Sequence, residues 1–139
     1  MRFTEQTISQ MNDNSLYRAL GIRIENASEG HAKSRLEPKP DVCWPFPGQP
    51  HGGILFTLMD TTMAWAVLTQ LPLGYHCSTI DLSIHYTRPA KGSLFYCTAQ
   101  ISHQTTHYSF ARAEIHDADG KLVALGQATF AIIEMEIGR

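Results

Sequence analysis

Between Asp41 and Asp81 the only formal charge is Asp60, and it falls in the middle of the most apolar segment of the chain, Gly52 to about Gln70. Burying an unpaired carboxylate costs on the order of several kcal/mol, so selection for stability alone seldom puts one there. Two readings are open. Either Asp60 bonds Thr57, Thr61 or Thr62 and satisfies a polar pocket, or it is a nucleophile or general base held in a dry cleft. His51-Gly52-Gly53 opens the same segment. Two glycines let a ligand approach the backbone closely. The first amides of a helix lack internal partners and carry the positive end of its dipole, so they can form an oxyanion hole for a carbonyl oxygen.

Gly53 and Asp60 are seven residues apart, two helical turns, and share a face. Seven residues also span about 10 Å along a helix axis. One reacting carbonyl cannot touch both groups across that gap. An antiparallel pair of these helices about a two-fold axis would bring Asp60 of one chain to Gly53 of the other, giving two sites per dimer.

The elements that must hold these residues follow from the pattern around them. Ile54 to Leu68 leaves almost no polar face, which predicts a helix in the middle of a fold. Before it, Asp13 is predicted to cap a short helix, Asn14 to Leu20, that Gly21 stops. Two extended runs follow, Ile22 to Ser28 and His31 to Glu37, joined by a turn at Glu29-Gly30. Pro38 to Pro50 holds five prolines and reads as a loop. After the helix, Ile80, Leu82, Ile84 and Tyr86 alternate with Asp81, Ser83, His85 and Thr87, a period of two. Leu94 to Ser102, Tyr108 to His116 and Leu122 to Ile133 are further strands, the last two joined by an Asp117-Ala118-Asp119-Gly120 turn. Strands before and after one central helix predict an α+β class fold, one antiparallel β-sheet wrapped around one long central helix. Apolar residues left on its outer side predict a partner subunit.

Composition sets the remaining bounds. The 139 residues carry 11 basic and 13 acidic side chains, a net charge of −2, and 43% hydrophobic residues. That suits a single domain, residues 1–139, with a real core. It gives no electrostatic case for nucleic acid or an anionic membrane as a partner. No apolar run is long enough to span a bilayer, and Met1 to Asn14 lacks an apolar signal core. Cys43, Cys77 and Cys97 are odd in number and match no metal knuckle. They read as free thiols in a reducing, cytoplasmic setting. His103 and His107 are four apart, but in a strand–turn–strand region, and no metal site is expected. His85 and Asp81 share a strand face and are expected to shape an interface.

The run from His51 to Thr61 closely resembles the signature of hotdog-fold acyl-CoA thioesterases of the phenylacetate-pathway (PaaI-like) type. Ser78 to Gly92, with its Tyr86-Thr87-Arg88-Pro89-Ala90 turn, is similar to the strand and turn that follow the family's helix. The strand order matches over roughly residues 16 to 133. The resemblance implies a hotdog fold and thioester hydrolysis, with Asp60 as the carboxylate that activates water or attacks directly. It implies that the Gly53 N–H polarises the thioester carbonyl, beside Gly52 and Thr61. His51 is then a structural or substrate-orienting residue, and Thr79 helps place the attacking water. Arg88 and Lys91 lie where the coenzyme's phosphates would be met. It further implies a homodimer assembling to a homotetramer, no metal, and no cofactor, since coenzyme A is part of the substrate.

One position departs from the pattern. Relatives usually carry Asn or Gln six residues before the motif histidine, where this chain has Pro45, and Gln49 is the substitute at hand. Trp44 and Phe46 are candidates for the acyl pocket, or for packing under the loop. Two other readings stay open at this point. One is a hotdog protein that binds acyl-CoA without cleaving it, and the other is a hotdog dehydratase or hydratase. A lone carboxylate behind His51-Gly52-Gly53 fits acyl hydrolysis best.

Overall fold

Leu58, Met59, Met63, Ala66 and Val67 are wholly buried and Leu55 nearly so, which places the predicted apolar helix inside the molecule. The computed structural model describes residues 3–43 and 48–136. In chain order these form α1 (Glu5–Asn12), α2 (Ser15–Leu20), β1 (Ile22–Ser28) and β2 (His31–Leu36). A short 3-10 turn (Pro40–Val42), α3 (Gly52–Leu68) and β3 (Tyr75–Tyr86) follow. β4 (Phe95–Gln104), β5 (Tyr108–Asp117) and β6 (Leu122–Glu134) complete the chain. The six strands make one sheet in the order β1-β2-β4-β5-β6-β3, every neighbouring pair antiparallel. α3 packs against β4, β2, β5 and β3. Phe95, Phe130, Ile115, Leu36 and Ile24 fill the space between helix and sheet. This is the α+β arrangement expected above.

The turns follow residue chemistry. Gly21 ends α2 in the left-handed region, at φ 87°. A Cβ there would stand 1.9 Å from the Glu37 carbonyl oxygen, so no other residue fits without moving the chain. Glu29 and Gly30 both take positive φ, the requirement of a tight hairpin that twists with its strands. The α2 cap is Asn14 and not Asp13. Asn14 Oδ1 accepts from the Leu16 and Tyr17 amides, whereas Asp13 pairs with Arg18.

Three features were not expected from the sequence. The first is α1, a polar helix with no buried residue. It is held by its Thr4 cap and by Asn12, whose side chain both donates to the Ile24 carbonyl and accepts from the Ile24 amide. Asn12 therefore occupies the outer edge of β1 as a strand partner would. The second is the length of β3, which begins at Tyr75. The third is a bulge in β3. The alternation of residues 80–87 predicts Ile80 on the same face as Leu82, Ile84 and Tyr86. In the structure the register against β6 shifts between Thr79 and Asp81, because a bulge inserts one extra residue and reverses the facing of everything before it. Thr79 lies opposite buried Phe130 and so faces α3, together with Cys77, Leu82, Ile84 and Tyr86. Ile80 is expelled and stays 57% exposed.

Candidate active site

α3 carries Asp60 at its midpoint and β3 carries Thr79 beside it. The Thr79 hydroxyl donates to Asp60 Oδ1 at 2.6 Å. The bulge makes this bond, since without the extra residue Ile80 would face the helix. Thr57 and Thr62, two of the local partners considered for Asp60, are engaged elsewhere. Thr57 donates to the Gly53 carbonyl, and Thr62 donates to the Leu58 carbonyl and pairs with Ser34. Asp60 is half-buried, not sealed in the core, and its second oxygen has no hydrogen-bond partner among the described residues. A carboxylate with one oxygen anchored and one open can take a proton or attack an electrophile.

At the start of α3 the His51 side chain caps the helix. The Gly53 N–H donates to His51 Nδ1 at 2.8 Å. A neutral imidazole accepting at Nδ1 carries its proton on Nε2, so the exposed His51 ring presents an Nε2–H donor. The glycine pair has internal reasons as well as the one read from the sequence. A Cβ at Gly53 would stand 3.0 Å from His51 Nδ1, and one at Gly52 would stand 3.3 Å from the Tyr86 ring. Tyr86 was not among the predicted site residues. It donates from Oη to the Gly52 carbonyl at 2.6 Å and ties the far end of β3 to the first turn of α3. Its signal in the sequence was its place in the Tyr-Thr-Arg-Pro-Ala turn, which spacing alone could not relate to Gly52. Burial pushes the Tyr86 phenol above its ordinary range.

The other predicted residues fall as follows. Gln49 is half-buried in the loop before α3, and Thr61 is half-buried on α3 beside Asp60. Arg88 and Lys91 are exposed in the turn after β3. That turn docks on the loop before α3, because the Gly92 N–H donates to the Gly48 carbonyl at 2.7 Å. Arg88 and Lys91 thus sit on a turn tied to the loop that leads into α3. Trp44, Pro45 and Phe46 lie outside the described residues. Asp60 and Gly53 of one chain stay two turns apart on the same helix. An open groove of about 850 Å³ runs over the outer face of the sheet past Lys33, Arg112, Glu114 and His85. None of the predicted site residues lines it. Among the described residues no three His, Cys, Asp or Glu side chains converge as a metal site. No helix among them is long and apolar enough to cross a membrane.

Thr79→Val keeps the shape of the side chain and removes the donor. A hydrogen bond to a charged group contributes about 1.5–3 kcal/mol, and Asp60 is only half-buried. The low end applies, and kcat/KM is expected to fall about tenfold. Steady-state kinetics on the variant checks this, and an unchanged rate would remove Thr79 from the machinery.

Residues 48–124, from the glycine loop to the first residues of β6, match the model of the thioesterase superfamily. The chain belongs to the thioesterase superfamily. It is a thioester hydrolase with the hotdog fold. An esterase candidate of Halobacterium salinarum is 33% identical over 134 residues, 89% of this chain and 88% of the relative. The medium/long-chain acyl-CoA thioesterase YigI of Salmonella typhimurium is 25% identical, over 83% of each chain. Among solved structures, the PaaI protein from the phenylacetic acid degradation operon of E. coli superposes with a TM-score of 0.81. It is 27% identical, covering 94% of this thioesterase and 92% of its own chain. A Bacillus halodurans protein solved with CoA has a TM-score of 0.69 and 35% identity, over 72% and 70% of the two chains.

Proposed function

We propose that this thioesterase hydrolyses acyl-CoA to free acid and CoA, with Asp60 as the base or nucleophile and a second copy of the chain completing each site. The observation that carries this reading is the Thr79–Asp60 bond. It anchors one oxygen of the lone, half-buried carboxylate of α3 and leaves the other without a hydrogen-bond partner among the described residues. In the base route Asp60 Oδ2 takes a proton from water, and the oxygen attacks the thioester carbon. The negative charge gathers on the carbonyl oxygen beside helix N-terminal amides. The C–S bond then breaks and the CoA sulfur leaves with its electron pair, to be protonated from solvent or from Asp60. For the Gly53 amide to serve, the carbonyl oxygen takes the place of His51 Nδ1 as its acceptor, and the His51 Nε2–H remains available as a second donor. Arg88 and Lys91 meet the coenzyme phosphates. CoA bound to the Bacillus halodurans relative supports that ligand class.

A dimer is supported by the two sheet edges. Asn12 blunts the β1 edge, while the twelve residues of β3 present an unpaired outer edge, an invitation to strand pairing. Pairing two copies along β3 would lay two α3 helices antiparallel and set Asp60 opposite the partner's helix start. Two such dimers form the tetramer, and residues 1–139 act as one hotdog domain. The chemistry calls on a carboxylate, hydroxyl and amide, with no cofactor beyond the CoA of the substrate. Three free thiols fit the reducing cytoplasm.

The test is a panel of aromatic and aliphatic acyl-CoAs incubated with the purified protein, with CoA release followed by chromatography. Release of CoA is the expected result. Acyl-CoA that binds but stays intact would leave a binding protein, and a change of unsaturation in the acyl chain would mean hydratase chemistry.

A further inference from the structure

Gly52 and Gly53 are joined by one peptide group, and both of its ends are engaged. Its N–H is the Gly53 amide, which donates to His51 Nδ1 at 2.8 Å. Its C=O is the Gly52 carbonyl, which accepts from Tyr86 Oη at 2.6 Å. The tyrosine therefore holds, from the opposite end, the same amide unit whose N–H meets the thioester carbonyl in the reading above.

A bond at that end has two effects. A peptide flanked by two glycines has unusual freedom in φ and ψ, and the phenol fixes its plane. This hold persists when substrate arrives, because the thioester carbonyl displaces only His51 Nδ1 and leaves the Tyr86 bond in place. The second effect is electronic. Hydrogen bonds linked through one amide polarise each other, so an N–H becomes a stronger donor when the carbonyl of its own peptide accepts a bond. Alignment before charge develops is what makes an oxyanion donor effective.

The sheet fixes the phenol in turn. At the next residue the Thr87 N–H donates to the Val123 carbonyl at 3.0 Å, and its hydroxyl donates to the Leu122 carbonyl at 2.7 Å. The end of β3 is thus pinned to β6. The Tyr86 ring lies against the glycine, since a Cβ at Gly52 would stand 3.3 Å from both Cζ and Oη. Thr79 and Tyr86 are seven residues apart on β3, an odd number that in a regular strand sets two side chains on opposite faces. The bulge between Thr79 and Asp81 removes that parity, and both turn toward α3. One strand reaches Asp60 with a threonine and the Gly52–Gly53 peptide with a tyrosine.

Resting on the acyl-CoA hydrolase reading, we propose that Tyr86 is a positioning residue for the oxyanion hole. Its hydroxyl, acting through the shared peptide, aligns the Gly53 N–H and strengthens it as a donor. Tyr86 needs no contact with substrate and moves no proton. Its effect grows as negative charge gathers on the carbonyl oxygen, so it appears in kcat more than in KM.

The experiment compares the parent with Tyr86→Phe and with a chain carrying 3-fluorotyrosine at position 86 alone, with thermal unfolding of each. Phe keeps the ring against Gly52 and removes the donor. The fluorinated ring keeps the hydroxyl and makes it a more acidic, stronger donor. One readout is kcat and KM for the best acyl-CoA of the panel. The other is the infrared carbonyl band of a bound ketone analogue of hexanoyl-CoA, in which a methylene replaces the thioester sulfur and nothing can be cleaved. Tyr86→Phe is expected to lower kcat about 3–10-fold, a fraction of the loss on removing an oxyanion donor itself. KM is expected to change less than about twofold, and the carbonyl frequency to rise. Fluorotyrosine is expected to bring that frequency below the parent's. A folded Tyr86→Phe with parental kcat overturns the inference. So does a loss of kcat with the carbonyl band unmoved, the mark of a merely structural tie. Should Tyr86→Phe fail to fold, the fluorinated chain decides alone, and an unmoved band there defeats the inference. A parent that releases CoA from no acyl-CoA defeats the hydrolase reading itself, while the band of the bound ketone still reports whether Tyr86 acts on the Gly53 amide.

Discussion

Asp60→Asn is expected to lower kcat by about 10²–10⁴-fold, the usual contribution of a positioned acid or base, while KM stays within a few-fold. The substitution suits the question because Asn has the shape of Asp. Its carbonyl oxygen still accepts from Thr79, so the tie between α3 and β3 at 2.6 Å is kept. What disappears is the charge and the capacity to take a proton or form an acyl bond. An interaction made only in the transition state lowers kcat and kcat/KM together, and one made equally with bound substrate raises KM instead. Steady-state kinetics with the best acyl-CoA of the panel separates the two. Equal losses in binding and turnover would assign Asp60 to substrate holding and pass the chemistry to another group. The stability of the variant is informative as well. Asp60 is half-buried and has one protein partner, so neutralising it is expected to leave the unfolding midpoint close to that of the parent.

Gly126→Ala is expected to be the costly substitution for the fold. Gly126 sits on β6 between Ile84 of β3 and Ala113 of β5. A Cβ there would lie 2.5 Å from Met59 Sδ and 2.5 Å from the Ser83 carbonyl oxygen. The first contact belongs to a wholly buried side chain and the second to backbone, so neither gives way cheaply. Overpacking of this kind costs about 1–3 kcal/mol, which for a domain of this size lowers Tm by roughly 3–10 °C. Met59 precedes Asp60 on α3. Lifting Met59 off the sheet draws Asp60 from Thr79, and kcat is expected to fall along with Tm. Thermal unfolding and kinetics on one preparation check both. Met59→Ala in the same chain relieves the sulfur contact but not the Ser83 carbonyl, so recovery should be partial. An unchanged midpoint would mean that α3 sits farther from the sheet than the structure places it.

The Asp60 and Gly126 cases show what kind of information each level carries. Asp60 was visible in the sequence because its neighbours are apolar, and an isolated charge in such a run is a statement about local composition. The central helix, the Gly21 stop and the Glu29-Gly30 hairpin were visible for the same reason. Periodicity, capping and positive φ are properties of short segments, set by backbone sterics and by the identity of a few adjacent residues. The α1 helix was missed because it has no fully buried residue, only Ile8 packing partly on the core, and the pairing that holds it, Asn12 to Ile24, joins residues twelve positions apart.

The site divides along the same line. Local pattern alone determined that this chain has a buried helix with one carboxylate at its centre, a histidine and two glycines at its start, and an antiparallel sheet to surround it. Tertiary structure decided the rest. The β3 bulge turns Thr79 and not Ile80 toward Asp60, Tyr86 closes on Gly52, and His51 takes the Gly53 amide. Resemblance pointed to Thr79, but alternation in the sequence assigned the helix-facing place to Ile80. A bulge is chosen by how two distant strands come into register over a shared core, with Phe130 buried beneath the shift. That choice is a sum over contacts between residues some fifty positions apart, which no window of neighbouring residues contains.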